Sequence, residues 1–72
     1  MDEYSRIIIE RYCSSHTGRK AKRLQKLVEA SSDLGFEGTD SDALFLERLI
    51  EEEEGEELRE ALQDLDDYLF RW

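Results

Sequence analysis

Cys13 and His16 stand at C-x-x-H spacing, the one place where two classical metal ligands lie close together in the chain. Zinc needs four ligands, or three and a water, and the sequence holds no further Cys or His. The pair is therefore expected to be structural, with no metal and no cofactor. Cysteine–histidine nucleophilic catalysis would also require an orienting group and a cleft, which a chain of 72 residues rarely encloses. The stretch from Asp33 to Asp42 is rich in oxygen ligands. It lacks the acidic 1, 3, 5 pattern with Gly at 6 and Glu at 12 that a calcium loop uses. No catalytic residue is nominated, and no enzyme is expected.

Two charge clusters remain. The first is acidic: Glu51, Glu52, Glu53, Glu54, Glu56 and Glu57 put six carboxylates within seven positions. With Glu60, Asp64, Asp66 and Asp67 they make a row that resembles a line of phosphates in charge. Such a row suits a basic protein groove, including one built for nucleic acid. A solvated helix end is the plainer alternative. The second cluster is basic: Arg19, Lys20, Lys22, Arg23 and Lys26. It can neutralise the acids within the molecule, contact nucleic-acid phosphates, or meet an acidic partner. Residues 1–26 carry seven bases against three acids, and residues 27–72 three bases against sixteen acids, so the halves stand at +4 and −13. A net charge of −9 opposes compaction by self-repulsion. A single small core without disulfides supplies only about 3–5 kcal/mol.

Four segments must position these groups. Residues 3–14 carry three consecutive isoleucines, which favour a strand on propensity. Strict alternation is absent, and no second strand candidate exists, so a helix is expected. Tyr4, Ile8, Arg11 and Tyr12 would form its face, widened by Ile7, Ile9 and Cys13. A break follows at 14–18, with Thr17 as an N-cap. Residues 18–33 place Ala21, Leu24, Leu27, Val28 and Ser31 at helical spacing. Gly35 suits the C′ position after it, with Leu34 and Phe36 closing the turn. Thr39 or Ser41 can cap a helix over 41–54, whose apolar face is Phe45, Leu46, Leu49 and Ile50, with Ala43 or Leu44 beside it. Arg48 can pair with Glu52 there. Residues 56–71 carry the cleanest stripe: Leu58, Ala61, Leu62, Leu65, Tyr68, Leu69 and then Trp72, with an Asp67–Arg71 pair. The third and fourth stripes are offset by about 120° in projection, so the chain is expected to bend at Gly55.

The expected fold is all-α, one domain over 1–72, a compact bundle of three or four short helices. A ribbon–helix–helix dimer with the isoleucines as a shared strand is the alternative. No apolar run approaches the ~20 residues of a membrane span. No signal peptide is visible, and a cytoplasmic protein is expected.

The expected function is binding without catalysis: a small acidic regulator or inhibitor docking on a larger basic protein. Partner contacts are assigned to Glu51, Glu52, Glu53, Glu54, Glu56, Glu57, Glu60, Asp64 and Asp67, with Phe70 and Trp72 as aromatic anchors. Phe70 projects off the apolar stripe and is expected exposed unless the first segment or a second chain covers it. Small size and acidity are similar to those of phage or plasmid inhibitors of nucleic-acid machines, anti-CRISPR proteins among them, a likeness of composition only. The competing expectations are an antitoxin-like dimer binding nucleic acid through Arg19, Lys20, Lys22, Arg23 and Lys26, and an accessory subunit held by its apolar surface.

Overall fold

A computed structural model describes residues 2–32 and 36–71. Four helices follow one another: α1 (Glu3–Ser15), α2 (Arg19–Ala30), α3 (Asp40–Glu52) and α4 (Glu56–Phe70). The described residues contain no strand. The isoleucine run lies inside α1, so the ribbon–helix–helix alternative is overturned: its shared strand is absent. Packing wins over β-propensity here, because a helix lets Ile9 and Cys13 reach the core together.

The face of α1 differs from the expected one. Ser5, Ile9 and Cys13 point inward at successive i+4 positions, and Ile8 and Tyr12 flank them. Tyr4 and Ile7 stand 60% and 40% exposed. In α2, Ala21, Leu24, Leu27 and Val28 are buried as the spacing requires. In α3 only Leu46 is fully covered, with Phe45, Leu49 and Ile50 half-buried beside it. In α4, Ala61, Leu62, Leu65 and Leu69 are buried, while Tyr68 is left 45% exposed.

α1 is the central piece: it packs on α2 along one side and on α4 along the other. α3 packs on α4 in turn. The ring is closed between α2 and α3 by polar groups. Arg23 Nη2 lies 3.1 Å from Asp42 Oδ1, and Lys20 Nζ lies 3.3 Å from Glu52 Oε2. α2 and α4 are thus diagonal, and their outward faces look in opposite directions.

The ends of the helices follow local chemistry. Thr39 caps α3: its side chain accepts from the Asp42 N–H at 3.1 Å, and Asp42 accepts the Thr39 N–H in return. Thr17 does not cap α2. The N-cap is Gly18, which offers no side chain. Gly55 is the N-cap of α4, and its N–H donates to Glu53 Oε2 at 3.0 Å. Residues 53–55 make the bend, as the offset stripes require. The Gly35 C′ turn and Trp72 lie outside the described residues.

Candidate functional site

The acids of α4 are set by the same periodicity that sets its core. At 100° per residue, Glu56, Glu57, Glu60, Asp64 and Asp67 fall within about 100° of arc, roughly opposite Leu62, Leu65 and Leu69. Five carboxylates occupy about 16 Å of helix axis, about one per 4 Å. A single DNA strand carries one phosphate per ~3.4 Å of axis.

Two of the five are tied to the start of α1. Tyr4 Oη donates to Glu57 Oε2 at 3.1 Å, and the Asp2 N–H donates to Asp64 Oδ2 at 3.0 Å. The Tyr4 hydroxyl is pushed up by its bond to Glu57 and by that residue's charge. Glu56, Glu60 and Asp67 are exposed and make no ion pair among the described residues.

The run from Glu51 to Glu57 is not one continuous row. Glu51 and Glu52 end α3, and Glu56 and Glu57 begin α4. Glu52 pairs with Lys20, not with Arg48 as expected, and Glu53 is half-buried against Gly55. Glu51 and Glu54 are exposed.

A second row runs along α3 and adds Asp40, Leu44 and Glu47 to the nominated Glu51. Asp40, Leu44, Glu47 and Glu51 lie at i, i+4, i+7 and i+11, and all four are exposed, Leu44 at 57%. That spacing was available in the sequence. Leu44 obscured it, since the residue counts as a core candidate by type. α3 packs on α4, so the two acidic rows belong to adjacent helices.

Asp66 is a correction to the outward set. It is 8% exposed and lies on the α3 side of α4, with Arg71 Nε at 3.3 Å in place of the expected Asp67–Arg71 pair. Burial pushes its carboxyl up. Arg71 opposes that shift, and the nearby Asp67 and Glu47 add to it.

Phe70 is also corrected. The connection before α3 covers it: Phe36 meets its ring edge-on at 6.2 Å between centroids, and Gly38 lies directly against it. Neither α1 nor a second chain is needed.

The basic cluster divides. Lys20 and Arg23 serve the α2–α3 seam. The Arg23 guanidinium donates to Ser41 at 2.9 Å and to Asp42, and its carbon lies 4.6 Å over the Phe45 ring. Burial would raise the Asp42 carboxyl, but the hydrogen bonds from Arg23 and Thr39 outweigh it and bring Asp42 below its ordinary range. Arg19, Lys22 and Lys26 face solvent without an ion pair among the described residues.

Cys13 and His16 do not converge on a common point. Cys13 is buried, and desolvation, helped by the Glu10 charge, pushes its thiol up. His16 is exposed, stacked on Tyr12 at 4.1 Å, with Nδ1 donating to the Tyr12 carbonyl at 2.8 Å. Cys13 instead borders an open cavity of about 190 Å³ between α1 and α2, lined also by Glu10, Ser14, Gln25, Val28 and Glu29. Ligand pockets usually span ~300–1,000 Å³. Among the described residues, no three His, Cys, Asp or Glu side chains are grouped to hold a metal, and no helix is long and apolar enough to cross a membrane.

No protein-family model matches this chain, and neither does any curated protein or solved structure.

Proposed function

We propose that this protein is a non-catalytic regulator or inhibitor that docks its acidic α3–α4 face on the basic surface of a larger, nucleic-acid-handling protein in the cytoplasm. One observation carries the proposal. The acids of α4 stand at near-phosphate spacing, a sparser acidic row lies on the adjacent α3, and Glu51, Glu56, Glu60 and Asp67 form no ion pair among the described residues although the chain has bases to spare. Lys22 and Lys26 are exposed on α2 and make no ion pair with these acids among the described residues. Glu51 also lies in the last turn of α3, where the helix dipole disfavours an anion. A carboxylate retained at such a position is better explained by a partner than by the fold.

The function would be mimicry: a groove evolved for phosphates accepts the carboxylate rows, and the nucleic acid is displaced. Leu44 would seat between the charges as an apolar contact. Phe70 is withdrawn as an anchor because Phe36 and Gly38 already cover it.

The test is affinity capture with a matched variant, Glu51→Gln/Glu60→Gln/Asp67→Asn. These positions avoid the first turn of α4, so the fold keeps its dipole support. A partner held by wild type after nuclease treatment, lost by the variant and displaced by a DNA duplex supports the proposal. Equal retention by the variant sinks it. A competing function as a nucleic-acid binder has one favourable observation, the solvent-facing row Arg19, Lys22 and Lys26. It requires that recovery vanish with nuclease.

A further inference from the structure

We infer that the α1–α4 seam is an arginine-recognition surface, selective for guanidinium over ammonium groups on the partner. This rests on the acidic docking face proposed above and names the partner's chemistry. In projection, Glu57, Asp64 and Tyr68 share one strip of α4, within about 40° of each other. Tyr4 of α1 borders the same strip, its hydroxyl on Glu57. Each carboxylate of the strip therefore has an exposed ring beside it: Tyr4, 60% exposed, at Glu57, and Tyr68, 45% exposed, one turn beyond Asp64. Ile7, 40% exposed one turn beyond Tyr4, extends the apolar edge.

Carboxylate beside aromatic face is the environment that distinguishes arginine from lysine. A guanidinium is planar, stacks on a ring and binds carboxylate with two parallel donors, whereas an ammonium is a compact, strongly hydrated point charge. The protein already holds one arginine in this manner. Arg23 lies 4.6 Å over Phe45 while its Nη2 reaches Asp42 at 3.1 Å and Ser41 at 2.9 Å. The seam offers the same pair of groups, ring and acid, but without an arginine of its own stacked there. Arg11 is near enough to lower the Tyr4 hydroxyl slightly through its charge, yet no bond links the two.

The experiment titrates the intact chain with hexa-arginine and hexalysine, peptides of equal charge, and follows the tyrosine ring resonances. Hexa-arginine should bind about five-fold or more tightly than hexalysine, since guanidinium groups alone stack on the two exposed rings. Tyr4 and Tyr68 resonances should shift most. Tyr4→Ala/Tyr68→Ala should erase the preference while leaving hexalysine binding intact. Tyr4→Phe/Tyr68→Phe should keep it. Equal affinity for the two peptides, or a preference that survives the alanine variant, overturns the inference. The acidic face itself is a separate matter: Glu51→Gln/Glu60→Gln/Asp67→Asn should weaken both peptides alike. If it weakens neither, the docking proposal falls with it.

Discussion

Arg23 is stacked over Phe45, its guanidinium carbon 4.6 Å from the ring centroid, and from there it reaches across to Asp42 on α3. One side chain thus fastens α2 to α3 at the seam where apolar packing is thinnest. Arg23→Lys keeps the charge and loses the planar fork, so it should cost about 0.5–1 kcal/mol in urea unfolding. Arg23→Ala and Asp42→Ala should be non-additive in a double-mutant cycle. Additive costs would show that the ion pair is not formed in solution.

The contact between Gly38 and Phe70 gives a steric prediction. A Cβ at Gly38 would overlap Phe70 Cε1, with Cζ at 2.9 Å. The backbone there has no positive φ, so nothing but that ring opposes a side chain. Gly38→Ala should destabilise by about 1–3 kcal/mol, the usual cost of overpacking. In the background of Phe70→Ala the same change should be nearly neutral. A full penalty in both backgrounds would place Phe70 elsewhere.

The two unusual carboxyls predict opposite pH trends. Asp66 has a raised folded pKa, so its contribution to stability is complete below its unfolded value and is lost as pH rises through the folded one. Asp66→Asn should therefore raise the melting temperature at pH 7, and the gain should shrink under acidic conditions. Asp42 has a lowered folded pKa. Its contribution is present above the unfolded value and is lost as pH falls through the folded one, so Asp42→Asn should cost most at neutral pH. Thermal melts from pH 3 to pH 8, a span of about five units chosen to bracket the ~3.9 reference value, separate the two.

Caps offer a further check. Thr39→Ala removes one half of the capping box and should cost about 1 kcal/mol. Gly18→Ser puts a side-chain oxygen at an N-cap that has none, in open space, and should gain a few tenths of a kcal/mol. Denaturant midpoints read both.

Helix positions were legible because apolar spacing and punctuation agreed. The stripes of α2 and α4 are unambiguous, and Gly55 marks the bend between offset faces. The face of α1 was not legible. Three adjacent isoleucines span most of a helical turn, so their spacing cannot choose among them. The choice falls on Ile9, which with Ser5 one turn before and Cys13 one turn after makes the buried face of α1. Phe70 was misjudged because its cover, Phe36 and Gly38, comes from a connection without periodicity. Asp66 was hidden among acids of the same type: charge alone does not say which of Asp64, Asp66 and Asp67 turns toward α3. Asp40 and Glu47 were not legible as a continuation of Glu51 because Leu44 lies between them.

The pairing of α1 with α4 sets the order of events when the chain is made. α1 leaves the ribosome before the other three helices, yet one of its main packing partners, α4, is made after all of them. Until α4 emerges, Ile9 and Cys13 have only α2 to cover them. The fold is therefore completed only once α4 has cleared the ribosome, and a nascent chain stalled before Glu56 should be a ready substrate for proteases.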